Sequence, residues 1–148
     1  MKESPDPVSL NHLLVHICRA HYARTHELLE KIGLYRGQPP LFKVLWKREG
    51  LSHSELAAKL EISLATTTKM VQRLEKGGFL ERKPDPKDQR LSRVYLTETG
   101  HRIRSEVEAV WDQMEEETFA GLSHAEKQQL SKMLTQVREN LLREKCCK

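Results

Sequence analysis

The feature that most constrains the fold is a pair of short predicted helices separated by a turn of two residues. Residues 52–55 are Ser-His-Ser-Glu, a capping box in which serine and glutamate satisfy free N–H groups at a helix start. Residues 61–62 form a tight turn, Ser63 caps a second helix, and Gly77 and Gly78 end it. Two short helices joined in this way form a helix-turn-helix, whose second helix usually contacts the DNA major groove.

The exposed face of the second helix is rich in short hydroxyl side chains. Residues 66–68 are three consecutive threonines, which are poor helix formers because β-branched side chains lose rotamer freedom. Short hydroxyls let a helix approach DNA closely and hydrogen-bond to it. Lys69 and Arg73 are four residues apart and therefore share one face. A partly buried polar helix in an unrelated bundle is the alternative explanation of this composition.

A β-hairpin is predicted directly after this helix. Residues 79–83 and 91–96 are strand-like runs that flank a turn rich in proline and aspartate. Residues 66–93 carry 8 basic and 4 acidic side chains, a net +4 that equals the charge of the whole chain. This excess fits either a solvated surface or a surface that binds a polyanion. The basic residues of the hairpin are Lys83, Lys87, Arg90 and Arg93.

The position of these cations favours the polyanion. A basic hairpin that follows the second helix of a helix-turn-helix is a wing, which can place an arginine in the adjacent minor groove. Asp88 lies two residues before Arg90. Its carboxylate can orient the arginine guanidinium, or it can bond its own backbone as a turn residue.

Long predicted helices flank this core on both sides. Apolar residues at helical spacing predict helices within residues 8–33, 97–120 and 122–145. Residues 38–97 form the predicted winged helix-turn-helix core. The length of 148 residues suits one domain, which we expect to be mainly α-helical with a small β-hairpin.

Several classes of protein are excluded by what the sequence lacks. No apolar run approaches the roughly 18 residues of a membrane span, and the first ten residues contain no apolar segment, so no signal peptide is expected. Three cysteines make no disulfide framework, so a reducing, cytoplasmic location is expected. A glycine-rich phosphate loop, a nucleophile elbow and a metalloprotease motif are all missing, so we predict neither an enzyme nor a cofactor.

The sequence resembles the MarR family of winged helix-turn-helix transcriptional regulators. The most specific stretches are residues 85–90, Asp-Pro-Lys-Asp-Gln-Arg, and residues 96–100, Leu-Thr-Glu-Thr-Gly. Leu56, Ala57, Leu60 and the segment 74–80 also carry the resemblance, which is sharpest over residues 41–100.

The resemblance implies a homodimer that pairs through its first and last helices and binds a pseudo-palindromic operator in double-stranded DNA. It further implies repression that is relieved by a small ligand or an oxidant. A winged-helix module that binds protein instead of DNA is the alternative function. The candidate dimer contacts are Leu10, Leu13, Leu14, Leu134, Val137 and Leu141, which alternatively pack only within one chain.

The resemblance also assigns the DNA-facing positions. On the second helix, which we call the recognition helix, these are Ser63, Thr66, Thr67, Lys69, Gln72 and Arg73. On the wing they are Lys87, Asp88 and Arg90. Ser52, His53 and Ser54 are further candidates, because backbone amides and hydroxyls at a helix start can meet phosphate.

The sequence offers three candidates for effector sensing. Cys18 is a redox candidate, although a helical cysteine is more often a small buried hydrophobe. His12 and His16 share a helical face, but no ligands in a recognisable pattern complete a zinc site, so no metal is predicted. A pocket for a hydrophobic ligand is the usual family theme, and core packing is the alternative role of its candidate residues. These are Ile17, Tyr35, Phe42, Leu45, Trp46 and Trp111.

Overall fold

A computed structural model describes residues 9–35 and 37–143. Within these residues the chain forms six α-helices and three short strands, which confirms the predicted mainly helical class. None of the described helices is long and apolar enough to cross a membrane. In chain order the elements are α1 (Leu10–Glu30), α2 (Pro39–Lys47), β1 (Leu51–Ser52), α3 (His53–Leu60), α4 (Leu64–Lys76), β2 (Leu80–Pro84), β3 (Ser92–Leu96), α5 (Glu98–Thr118) and α6 (His124–Arg143).

Side-chain caps set the boundaries of the helix-turn-helix. Ser52 Oγ accepts from the Glu55 N–H at 3.2 Å, and the Glu55 carboxylate accepts from the Ser52 N–H at 3.3 Å, which confirms the capping box of α3. Glu61 ends α3 in the left-handed conformation, with φ of 54°. Ser63 Oγ then accepts from the Thr66 N–H at 3.1 Å to start α4. The predicted two-residue turn is therefore confirmed.

The wing is a three-stranded antiparallel sheet in the order β1-β3-β2. Strands β2 and β3 pair from Leu80 opposite Leu96 to Pro84 opposite Ser92, as the predicted hairpin requires. The sequence did not predict β1, because two residues are too short to show strand alternation. β1 pairs Leu51 with Val94 and leads directly into α3, so it attaches the wing to the helix-turn-helix.

The chain divides into two compact units between Met114 and Glu115. The core of the first unit combines the end of α1 with α2, α3, α4, the sheet and α5. In the second unit, α6 has no buried residue along its 20 positions. The assignment of the whole chain to one domain stays a prediction. The largest fully buried side chains of the core include Leu29, Phe42, Leu56, Leu74, Val94 and Val107.

Gly100 joins the wing to α5 at a point where the backbones meet. A Cβ added at Gly100 would lie 2.1 Å from the Phe79 carbonyl oxygen. That same oxygen accepts from the Thr97 N–H at 3.0 Å. The Gly100 carbonyl in turn accepts from Trp46 Nε1 at 3.1 Å, which attaches α2. The glycine of the Leu-Thr-Glu-Thr-Gly stretch is therefore required by packing.

We expect Gly100→Ala to destabilise the protein although alanine is the better helix former. The added methyl must displace the Phe79 backbone, an overpacking cost of roughly 1–3 kcal/mol that exceeds the gain in helix propensity of about 1 kcal/mol or less. Urea unfolding measures the difference. Gly37→Ala is the matched control, because its Cβ would meet only Met70 Cε at 3.9 Å. Equal stability of the two variants would contradict this packing argument.

Candidate nucleic-acid interface

One face of α4 packs in the core and the other is exposed. Thr67, Val71 and Leu74 are buried, and Thr67 Oγ1 donates to the Ser63 carbonyl at 3.0 Å. The prediction that Thr67 faces DNA is therefore wrong. Its spacing of four and seven from Val71 and Leu74 was the signal for burial. The other predicted positions of the recognition helix are exposed: Ser63, Thr66, Lys69, Gln72 and Arg73.

The turn of the wing is organised by Asp85, which is only 7% exposed. Its carboxylate accepts from the N–H groups of Lys87 at 2.7 Å and Asp88 at 3.1 Å, and from Arg93 Nε at 2.6 Å. The hydrogen bond from the Lys87 N–H, followed by that from Arg93, lowers the pKa of Asp85. Arg93 also donates to the Gly50 carbonyl at 2.8 Å. Arg93 thus holds the wing in place, and the sequence did not identify this role.

Arg90 is highly exposed on the wing, with 93% of its side chain accessible. Asp88 Oδ1 accepts from the Arg90 backbone N–H at 3.1 Å and from Arg90 Nε at 3.2 Å. The two proposed roles of Asp88, turn residue and guanidinium partner, therefore occur together. Lys87 is exposed beside them. The fourth basic residue of the hairpin, Lys83, is engaged within the sheet. Its Nζ lies 3.3 Å from Glu81 Oε1 and 5.0 Å from the Tyr95 ring centroid.

A second ion pair attaches the end of α4 to β2. Arg82 Nε and Nη2 donate to the two carboxylate oxygens of Glu75 at 2.8 and 3.0 Å. This hydrogen bonding lowers the pKa of Glu75. Burial, followed by the charge of Arg82, lowers the pKa of His53. Among the described residues, the buried His53 Nε2 has no hydrogen-bond partner.

The start of α3, the start of α4 and the wing surround a cavity of about 250 Å³. Hydroxyl groups and the exposed Arg90 dominate its lining, so the cavity suits an anion. The structure thus brings Ser52, His53 and Ser54 together with Arg90 of the wing. The lining residues are Ser52, His53, Ser54, Leu64, Thr68, Arg90, Leu91 and Ser92.

Only some of the residues predicted to form the effector pocket line a cavity. Trp46 and Trp111 share a cavity of about 190 Å³ between α2 and α5, with Lys43, Lys47, Arg104, Val107 and Glu108. Phe42 and Leu45 are core residues, 0% and 1% exposed, because they lie on the inner face of α2. Ile17 is 49% exposed on α1 and does not line this cavity. The inclusion of Phe42 and Leu45 was therefore wrong, and that of Ile17 stays a prediction.

The other sensing candidates lie in the first half of α1, which is exposed on nearly all sides. Cys18 is exposed instead of buried. His12 and His16 are exposed as well. In the part of the chain that the structure describes, no three His, Cys, Asp or Glu side chains are placed to hold a metal ion. Cys146 and Cys147 lie outside the described residues.

Comparisons with known proteins identify the family. The MarR family model matches residues 41–92. An HTH-type transcriptional repressor from Pseudomonas putida, IacR, is 33% identical over 131 residues, covering 84% of this chain and 77% of that protein.

Solved structures agree with this assignment. The crystal structure of MarR superposes with a TM-score of 0.73 at 26% identity, covering 92% of this chain and 99% of that one. A MarR transcriptional regulator from Methanosarcina mazei has a TM-score of 0.71 at 25% identity, with coverages of 90% and 96%. These matches span the winged core and the flanking helices. The chain belongs to the MarR family of winged helix-turn-helix, DNA-binding transcriptional regulators, which are not enzymes.

Proposed function

We propose that this protein is a homodimeric repressor that binds a pseudo-palindromic operator in double-stranded DNA and is released by a small ligand. The observation that carries the proposal is the continuous DNA-facing surface, formed by the polar face of α4, the hydroxyl-lined cavity and Arg90. The name of the Pseudomonas putida relative supports repression. The proposal places the protein in the cytoplasm.

The exposed side chains of α4 suit direct readout in the major groove. Arg73 has the guanidinium that pairs with guanine, and Gln72 has the amide that pairs with adenine. Lys69 lies one turn earlier on the exposed surface, and Thr66 about two turns earlier. These residues form the specific part of the proposed interface.

The wing suits contacts that are less dependent on sequence. Arg90 extends from the turn and suits insertion into a narrow minor groove, where the negative potential is enhanced. Lys87 and the hydroxyl-lined cavity suit backbone phosphates. A module that binds only protein would not need this exposed basic turn beside a polar α4.

Exposed apolar residues support dimerisation. Leu134, Val137 and Leu141 are 44%, 39% and 62% exposed on one face of α6. Most of the stability of a protein helix comes from packing of its apolar face, and exposed apolar patches mark interaction sites. Leu10 and Leu13 are 84% and 46% exposed on α1, while Leu14 is half-buried. We infer that a second copy of the chain covers these faces, because a two-fold dimer presents two recognition helices to an inverted repeat.

The cavity between α2 and α5 is the proposed effector site. Trp46 and Trp111 give it flat apolar walls, and Trp111 Nε1 is buried without a partner among the described residues. Lys43 Nζ lies 5.0 Å from the Trp111 ring centroid. Arg104 pairs with Glu108 at 2.9 Å, which leaves the lysines as the positive groups of the cavity. A small flat organic anion fits this lining, whereas a lone exposed Cys18 has no comparable surroundings to support an oxidant sensor.

Arg90→Ala and Lys87→Ala should weaken DNA binding in different ways. Loss of a groove-inserted arginine should cost roughly 1–3 kcal/mol and reduce sequence preference, whereas loss of a phosphate contact should weaken all sequences alike and reduce the salt slope by about 1. Fluorescence anisotropy on a selected operator and on random duplexes, at several salt concentrations, measures both. Lys132→Ala on α6 is the control for overall charge.

Charge reversal distinguishes the alternative function. Arg73→Glu combined with Arg90→Glu should abolish operator binding by the folded protein. Unchanged DNA affinity in this double variant would reject the proposed surface and favour a protein-binding module.

Leu134→Glu with Leu141→Glu should convert the dimer to a monomer and weaken operator binding. Burying unpaired carboxylates in an apolar interface costs several kcal/mol, and each 1.4 kcal/mol weakens association about tenfold. Analytical ultracentrifugation measures the assembly. Gln136→Glu adds a charge to the opposite face of α6 and should leave the dimer intact. A wild-type protein that sediments as a monomer would overturn the dimer proposal.

Benzoate should quench or shift the tryptophan fluorescence and weaken operator binding. Trp46 and Trp111 are the only two tryptophans of the chain, and both line the proposed site, so the signal reports on this cavity. Lys43→Met should reduce the affinity for benzoate, and neutral benzyl alcohol should bind more weakly than benzoate. Benzoate and benzyl alcohol binding alike, with no effect of Lys43→Met, would exclude an anion site here.

A further inference from the structure

The connection between α1 and α2 contacts the recognition helix through Tyr35. The Arg73 guanidinium carbon lies 5.8 Å from the Tyr35 ring centroid, within the range of a cation–π interaction. Both side chains are exposed, and Tyr35 keeps 53% of its surface accessible. Together they line a cavity of about 250 Å³ with Gly37, Gln38, Thr66, Lys69 and Met70.

The backbone of Tyr35 is fixed although its ring is exposed. The Tyr35 N–H donates to Gln38 Oε1 at 2.8 Å, and the Tyr35 carbonyl accepts from the Gln38 N–H at 3.0 Å. Gln38 is buried, with 5% exposure, so this reciprocal pair anchors the Tyr35 backbone to the start of α2.

A residue of α1 adds a second support to the ring. His26 stacks with Tyr35 at a centroid distance of 6.5 Å and an interplanar angle of 30°. His26 Nε2 itself lies 3.1 Å from Glu30 Oε1. The Tyr35 ring is therefore placed by contacts on both sides of the α1–α2 connection before DNA binds.

The contact with Tyr35 leaves Arg73 able to recognise DNA. A cation–π interaction engages the charge of the guanidinium and uses none of its five N–H donors, so these stay free for a base or a phosphate. An unsupported arginine on an exposed helix face would sample many rotamers, and ordering it would reduce affinity. A ring that limits these rotamers in the free protein removes part of that cost.

We propose that Tyr35 is a positioning residue for Arg73, so that the α1–α2 connection contributes to operator specificity without contacting DNA. This inference rests on the proposed function, in which Arg73 reads the operator. It extends that function to a residue outside the helix-turn-helix and the wing.

A double-mutant cycle on the full-length protein tests the proposal. We measure the ratio of affinities for a selected operator and for the same duplex with a changed half-site. Tyr35→Leu, which keeps an apolar side chain but removes the ring, should lower this ratio about two- to fivefold, the range of an exposed cation–π interaction. Tyr35→Phe keeps the ring and should retain the wild-type ratio. In the Arg73→Ala background, Tyr35→Leu should have no further effect.

A second measurement separates positioning from stability. The arginine Nε–Hε resonance of Arg73 in the free protein should lose its ring-current shift in Tyr35→Leu and keep it in Tyr35→Phe. An unchanged affinity ratio in Tyr35→Leu, or a loss that simply adds to that of Arg73→Ala, would overturn the proposal. If Arg73→Ala alone leaves operator preference unchanged, the proposed role of Arg73 fails and this inference fails with it.

Discussion

The geometry of the proposed DNA-facing surface depends on the Asp85 carboxylate. It accepts two backbone N–H groups that close the turn of the wing, and it holds Arg93 at 2.6 Å. Arg93 in turn donates to the carbonyl of Gly50, the residue that directly precedes β1 and α3. A single carboxylate thus connects the wing turn to the helix-turn-helix. Because the pKa of Asp85 is lowered, these bonds are present above the ordinary titration range of aspartate and weaken only below it.

The proposed effector site is connected to the wing by packing around Gly100. Trp46 lines the cavity between α2 and α5, and its Nε1 donates to the Gly100 carbonyl. Gly100 lies against the backbone of Phe79, which directly precedes β2. A ligand that moves the Trp46 ring would therefore act on the base of the wing through two direct contacts. This gives the proposed release from DNA a physical route that stays within the first compact unit.

The sequence predicts the helices and the hairpin better than it predicts which side chains are exposed and which contacts they make. Serine caps, terminal glycines and apolar spacing are local signals, so the helices and the hairpin follow from them. Strand β1 was missed because its two residues are too short to show strand alternation and its pairing with β3 is non-local. Thr67 was assigned to the DNA-facing surface because its side chain carries a polar hydroxyl, although the helical period places it in the core. The roles of Arg93 and Tyr35 depend on partners 8 and 38 residues away in the chain, which no local pattern shows.

Sequence-specific binding by a dimer is tested most directly by selecting bound duplexes from a random DNA library with the whole chain at near-physiological salt. We expect enrichment of an inverted repeat whose half-sites lie about one helical turn, roughly 10 base pairs, or a multiple of it apart. That spacing would reflect two recognition helices related by a two-fold axis. Failure of the folded, reduced protein to bind any duplex, or binding without enrichment of a repeat, would contradict a sequence-specific dimeric regulator.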